Sequence, residues 1–410
     1  MPNVLGIVAE YNPFHNGHLY HINESKEQAN ADYVIAVISG NFVQRGDVSI
    51  IDKWSKTEMA LRNGVDLVIE LPTLYSISSA ENFAYGSIRI LNSLDIVNAV
   101  SFGAENADIA TLDKFADVLY NEPKEFISVL NHELSKGISY PKARENALLL
   151  YLNDIRRYAN VLSSPNNILG IEYLKALKKL KSNIIPIAIP RANVSHNSKK
   201  IVNGFASATS IREMIVSNKT ENLYKVMPES SFDILADSVN NGHYVDSIVR
   251  FEKEILYTLR KMSTSEIAEI PDVSEGLENL IKEAASSCNT IEEFIKIVKS
   301  KRYTLTRIHR ILVYVLLGVT KKDMVLLNKT TPYIRILGAT KRGTDLISAI
   351  CSINSKINII TSPKKFIDNS GNKNQIALLQ KDIFATDVYT LGFDADSKAG
   401  LDFTKKFITI

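Results

Sequence analysis

Gly6-Ile-Val-Ala-Glu-Tyr-Asn-Pro-Phe-His-Asn-Gly-His-Leu-Tyr20 is the stretch from which the architecture of this chain can be read. The apolar run feeding it, Val4–Ala9, reads as a buried strand. It breaks at Asn12-Pro13, where proline's fixed φ and missing N–H predict a turn. The polar, amphipathic stretch His18–Ala29 then reads as a helix. Strand, tight loop and helix N-terminus in that order make an anion site, because unpaired helix N–H groups and the helix dipole point into the loop. The loop also carries His15 and His18 with Gly17 between them. Two imidazoles beside a phosphate-binding helix end predict phosphoryl or nucleotidyl chemistry.

Outward from that loop the pattern repeats. Tyr33–Ile38, Leu67–Glu70 and Ile96–Phe102 read as strands, and Lys53–Asn63 and Ser79–Leu91 as helices. The strand runs are nearly continuous rather than alternating, as parallel strands covered on both faces require. An α/β fold follows, with a Rossmann-like, doubly wound parallel sheet that binds ligands at the carboxyl ends of its strands. Three loops fall there: Asn12–Gly17, Ser39–Asp47 and Gly103–Asn106. A helical insertion is expected over about 107–164, with Asp108–Leu119 and Arg144–Arg157 as its clearest helices. Asn166–Leu180 follows as a helix, Ile184–Ile189 as a strand, and Ser207–Arg212 opens another helix with hydroxyl residues at its start. From 216 to 410 the chain is expected to be mostly helical, with Ile248, Phe251, Ile255 and Leu259 at helical spacing. A small α+β piece is expected from about 326, with strands at Ile357–Ile360 and Val388–Leu391, and Ser362–Lys373 as its most loop-like segment. The two expected domains are thus 1–215 and 216–410.

The histidine pair is the sharpest chemical signal. A nucleotidyl transfer builds charge on the equatorial oxygens of the α-phosphate, so fixed donors there lower the barrier. Histidines three residues apart point the same way on a helical turn, and Gly17 would let a nucleotide approach closely. His21 continues the spacing but reads as a packed residue. Ser207, Thr209 and Arg212 form the second signal, hydroxyls at a helix start and an arginine able to hold β- and γ-phosphates. No Gly-x-Gly-x-x-Gly follows the first strand, which disfavours a nicotinamide or flavin enzyme.

A first strand ending in His-x-Gly-His, with a later Ser-x-Thr-x-x-Arg, resembles the HIGH-superfamily nucleotidylyltransferases; Ala208 stands where those enzymes usually have a second serine. Longer matches are Ala9–His21, Ser39–Gly46, Gly64–Pro72, Pro165–Tyr173, Ala206–Arg212 and Lys301–Thr304. With these the chain resembles the bacterial tRNA(Met) cytidine acetate ligase family over nearly its whole length, less closely after Ala339. The resemblance implies two steps: acetate attacks the α-phosphate of ATP to give acetyl-adenylate, then the acetyl group passes to N4 of the wobble cytidine of elongator tRNA(Met). It implies ATP contacts through Ile7, Val8, Ala9, Glu10, Tyr11, Asn12, Pro13, Phe14, His15, Asn16, Gly17, His18, Leu19 and Tyr20, with Gly103, Asn166 and Arg191. His15 and His18 would be catalytic, and Mg2+ would arrive on the nucleotide. A small-molecule adenylyltransferase is the runner-up, and a nucleotide-binding regulator without catalysis the third reading.

For the acetyl or cytidine pocket the loop Ser39–Asp47 offers Phe42, Gln44 and Arg45. For an RNA, Lys296, Lys299, Lys301, Arg302, Arg307 and Arg310 cluster around Tyr303 and His309, a mixture suited to phosphate contact and stacking; Lys341 and Arg342 extend it, and Lys321-Lys322 less so. Among 410 residues, 45% are hydrophobic and 23% charged, enough apolar content for a sizeable core. The net charge of +3 is too mild to prove a nucleic-acid partner by itself. Cys288 and Cys351 lack metal-type spacing, which argues against a disulfide framework or cysteine-based zinc site. No basic, cleavable leader or run of about 20 apolar residues is seen, so a soluble cytoplasmic protein with no membrane or protein partner is expected.

Overall fold

Runs rich in Val, Ile and Leu with little polar interruption suit strands covered on both faces, and the chain places its early ones so. The computed structural model describes residues 2–154, 158, 161–191, 204–217, 219–274 and 276–410. The strands are β1 Val4–Ala9, β2 Tyr33–Ser39, the short hairpin β3 Phe42–Val43 and β4 Asp47–Val48, β5 Leu67–Leu71, β6 Ala99–Ala104, β7 Ile185–Pro190, β8 Tyr333–Ala339, β9 Asn358–Ile360 and β10 Ile408–Thr409. In the main sheet β5, β2, β1, β6 and β7 lie side by side and parallel. The chain leaves β1 for β2 and β5 on one side, then returns to β6 on the other. That reversal leaves a crevice between the carboxyl ends of β1 and β6. The pairing of β1 with β6 ends at Ile7 and Ser101, whereas β6 continues beside β7 to Ala104. Gly103 therefore lies within β6, past the reach of β1, rather than in a loop beyond the strand.

Helices cover both faces. Asn16–Gln28, Lys53–Arg62 and Ala80–Ser93 connect the first strands, and Pro165–Leu180 starts with proline at its first turn, where a missing N–H is harmless. The insertion holds Ile109–Asn121, Lys124–Ser135 and Tyr140–Tyr151. The helix Tyr140–Tyr151 starts four residues earlier than Arg144, and Arg157 falls outside the described residues.

The later half differs from expectation in instructive ways. Residues Tyr333–Ala339 form β8, buried throughout and antiparallel to β5, with β9 and β10 parallel to β8. The α+β piece expected from about 326 is thus an extension of the first sheet. Val388–Leu391 is not a strand: it closes the helix Lys373–Tyr389 and the turn Thr390–Gly392. That helix buries Leu378, Leu379, Ile383, Val388 and Tyr389, so its apolar end imitates a strand. The segment Ser362–Lys373 contains a helix, Pro363–Asn369, because Ser362 caps it and Pro363 starts it rather than breaking it. Between 233 and 320 the helices Glu252–Lys261, Leu277–Ser287, Ile291–Val298 and Leu305–Leu316 dominate, as the spacing predicted.

A buried ionic cluster ties the halves. Lys53 Nζ lies 2.8 Å from Glu70 on β5 and 2.9 Å from Asp402, and Arg335 on β8 donates to Asp402 at 3.2 Å. All four side chains are almost fully enclosed, so removing one partner would strand a buried charge.

Candidate active site

The crevice is walled by the loop between β1 and the first helix. His15 is the helix N-cap, and its Nδ1 accepts from Gly17 N at 3.0 Å. His18 answers it, its Nδ1 accepting from His15 N at 3.2 Å. This is a capping box built from two histidines, and it has an electronic consequence. Because both Nδ1 atoms accept, each ring carries its proton on Nε2, leaving two N–H donors to offer a ligand. The rings stack at 3.8 Å, 24° from parallel. Burial holds His15 down to about 3, with Arg191 and Arg212 adding to it. Burial also holds His18 well below the usual imidazole range, with His15 and Arg191 contributing. Both are neutral donors at physiological pH.

A Cβ at Gly17 would lie 2.8 Å from His15 Cε1, so the glycine makes room for the imidazole. His21 is packed: its Nε2 meets Ser101 Oγ at 3.0 Å, Ser101 pairs with Ser25, and burial followed by Arg191 holds the ring down to about 4.

The other candidate residues converge unevenly. Arg212 Nη1 donates to Asn12 O at 2.8 Å and Nη2 to Thr209 Oγ1 at 3.3 Å, while Ser207 Oγ caps its helix by accepting from Ser210 N. Arg191 lies across Gly103, its Cγ 3.6 Å from where a glycine Cβ would be, and its N donates to Ala104 O. Arg191 helps hold both imidazoles down and Arg212 helps hold down His15, so both guanidinium groups stand near the histidine pair. Asn166 Nδ2 donates to Glu105 Oε1 at 2.6 Å. Asn12 is turned toward the hairpin, donating to Val48 O and accepting from Ile50 N. Asn16 Nδ2 donates to Gly204 O and Lys225 O, and Tyr20 packs edge-on to Phe205. Ile7, Tyr11, Pro13 and Phe14 are buried and Val8, Ala9 and Leu19 half-buried, forming the floor. Tyr11 has φ +47° and packs 4.9 Å from His18.

Sequence reasoning missed Lys56. It is completely enclosed, and its Nζ donates to Ser39 O at 2.8 Å, Gly40 O at 2.7 Å and Glu10 O at 3.0 Å, fastening the ends of β1 and β2 together. Burial pushes its ammonium down to about 7. The available signal was its spacing with Lys53, Thr57 and Ala60, all on the buried face of Lys53–Arg62. The loop Ser39–Asp47 sits directly above: Gln44 N donates to Glu10 Oε1 at 2.8 Å, Phe42 is buried and Arg45 is exposed. Gly46, at φ +77°, touches the helix Leu305–Leu316 so closely that a Cβ would fall 2.2 Å from Arg310 N.

The basic cluster on and before that helix divides in two. Arg307 donates to Asp272 O and Ser274 Oγ and lies over the Tyr303 ring, Arg310 pairs with Asp272 at 2.7 Å, and Lys296 pairs with Glu292. Lys299, Lys301 and Arg302 stay at the surface. Arg342 donates to Asp32 O and covers Tyr33, and Lys321 caps carbonyls of Ala268 and Val273, so both serve the fold. Lys322 and Lys341 are exposed. Among the described residues no helix is long and apolar enough to cross a membrane.

A parallel sheet reversed at β1, with paired histidine donors on a helix N-terminus at the crevice, defines a nucleotidyltransferase of the HIGH type. The HIGH nucleotidyl transferase family model matches residues 2–402. A tRNA(Met) cytidine acetate ligase of Thermoanaerobacter sp. (strain X514) is 44% identical over 407 residues, covering 99% of this chain and 100% of that protein. The enzyme of the same description from Acetivibrio thermocellus is 44% identical over 413 residues, with 99% of each covered. The crystal structure of Thermotoga maritima TmcAL (apo, form I) superposes with a TM-score of 0.94 at 34% identity, over 100% of this chain and 99% of that one. The same protein bound with alpha-thio ATP gives 0.91. The chain belongs to the tRNA(Met) cytidine acetate ligase family of HIGH nucleotidyltransferases.

Proposed function

We propose that this chain is an ATP-dependent ligase that activates acetate as acetyl-adenylate and transfers the acetyl group to N4 of the wobble cytidine of elongator tRNA(Met). The observation that carries the first step is the pair of neutral Nε2–H donors at a helix N-terminus, flanked by Arg191 and Arg212. Acetate is already an anion at neutral pH, so attack on the α-phosphate needs alignment and charge stabilisation rather than a base. The histidine donors meet the charge that grows on the α-phosphate oxygens, and being neutral they donate without giving up a proton. Arg212, with Ser207 and Thr209 at its helix start, faces the departing pyrophosphate, and Arg191 beside Gly103 holds the nucleotide. Magnesium would come on the triphosphate.

Support for the second step comes from the relatives' shared description and from the exposed cations Lys299, Lys301 and Arg302 in the segment leading into the helix Leu305–Leu316, which the Ser39–Asp47 loop touches through Gly46. The runner-up, a small-molecule adenylyltransferase, is not favoured by those relatives. The deciding experiment incubates the protein with ATP, labelled acetate and bulk tRNA. Label recovered as N4-acetylcytidine is the expected result; pyrophosphate release without label in tRNA would refute the proposal.

A further inference from the structure

We propose that Glu10 accepts the N4 proton of the cytidine as that nitrogen attacks the acetyl carbon. The inference rests on the function proposed above and gives its second step a base. Glu10 is the first residue past β1, at the reversal point of the sheet. A carboxylate there repels a triphosphate, so a group bound for the nucleotide alone would not be acidic. Its direction resolves the conflict. Glu10 Oε1 accepts from Gln44 N at 2.8 Å, so the carboxylate is turned to the Ser39–Asp47 loop, which rests on the helix Leu305–Leu316 through Gly46. It thus stands between the end of β1 and the Ser39–Asp47 loop. Its Oε2 has no hydrogen-bond partner among the described residues.

The neighbouring carboxylates are otherwise engaged. Glu105 takes Asn166 Nδ2 at 2.6 Å and Asn167 N at 3.2 Å, capping Pro165–Leu180. Asp47 Oδ1 takes both Val48 N and Ile248 N at 2.9 Å, pinning the β3–β4 hairpin. Glu10 is held from behind by Lys56 on its own carbonyl, and among the described residues Lys56, Arg212 and Tyr173 lie near enough to feel its charge.

The chemistry asks for such a group. The lone pair of a cytosine amine is drawn into its ring, so its attack is weak until a proton is lost. In the step, the N4–C bond forms, the C–O bond to the adenylate breaks, AMP leaves with that electron pair, and the N4 proton passes to Glu10. A carboxylate accepting from N4 is also the pairing by which Glu or Asp recognises cytosine.

The test is Glu10→Gln, whose amide oxygen still accepts from Gln44 N but cannot take a proton. One preparation is assayed for acetate-dependent ATP–pyrophosphate exchange and for single-turnover transfer of labelled acetyl to bulk tRNA. The ratio of transfer to exchange is expected to fall about 100-fold, and a fall of less than about tenfold overturns the assignment. Asp47→Asn is run beside it; if that variant separates the two steps and Glu10→Gln does not, the base is Asp47 and the proposal is wrong. A wild-type protein that exchanges pyrophosphate but leaves tRNA unlabelled would instead sink the functional reading beneath it.

Discussion

His18 carries two separable duties, and two substitutions divide them. Its Nδ1 completes the capping box by accepting from His15 N at 3.2 Å, which leaves its Nε2–H as the donor proposed to meet the α-phosphate. Asparagine places an amide oxygen near the Nδ1 position but reaches no further. Glutamine places an amide nitrogen near the Nε2 position but leaves His15 N without its acceptor. Removing one preorganised donor to a developing oxyanion slows a reaction by about 100- to 1,000-fold, or about 2.7–4 kcal/mol. Losing a cap costs about 0.5–2 kcal/mol of stability. His18→Asn should therefore lose roughly two to three orders of magnitude in acetate-dependent ATP–pyrophosphate exchange while its denaturant midpoint stays near wild type. His18→Gln should keep most of the exchange and lose about 1 kcal/mol in urea unfolding. If His18→Asn exchanged at the wild-type rate and His18→Gln were inactive, His18 would be a cap only and the donor argument would fail.

The remaining expectations concern acid, a buried ammonium and salt. His15 and His21 are held near 3 and 4 in the folded chain against about 6.5 unfolded. The unfolded state therefore binds more protons between those values, and stability is lost as pH falls from about 6.5 toward 4; urea midpoints that did not decline across that range would contradict the burial argument. Lys56→Met fills the same space but leaves three carbonyl oxygens unmet, so unfolding should become easier by roughly 3 kcal/mol, and a midpoint unchanged from wild type would deny the ammonium its fastening role. For tRNA, log affinity should fall linearly with log salt, and Lys299→Ala or Lys301→Ala should each reduce that slope by about one. A slope untouched by both would move the RNA face elsewhere.

The parallel core was legible because each early strand is a short apolar run with polar punctuation, and because a loop such as Asn12–Gly17 has few alternatives to a strand end. β8 was harder. Tyr333–Ala339 carries Arg335 in its middle, and only the facing Glu70 and Asp402 make that charge tolerable inside. Such a pairing joins residues far apart in sequence, and periodicity cannot see it. Lys56 was overlooked for the same reason, since a lysine reads as surface until the three carbonyls that surround it are known. The histidine pair was found from spacing, but its tautomers depend on which backbone N–H each ring meets. At Gly17 the need for space is legible in the sequence, but that the His15 ring takes part of it is not.

The cluster around Lys53 bears on how this chain comes off the ribosome. Leu67–Leu71 emerges early, yet the strand that closes its open flank and the Asp402 that shares its lysine emerge much later. Glu70 meanwhile touches Gly40, where a Cβ would lie 2.7 Å from its Oε1, at the root of the loop above the crevice. A nascent chain stopped short of β8 would hold an unpaired edge strand and an ammonium lacking one of its counterions. The loop above the crevice thus rests on a sheet edge that is finished only once β8 and Asp402 have been made.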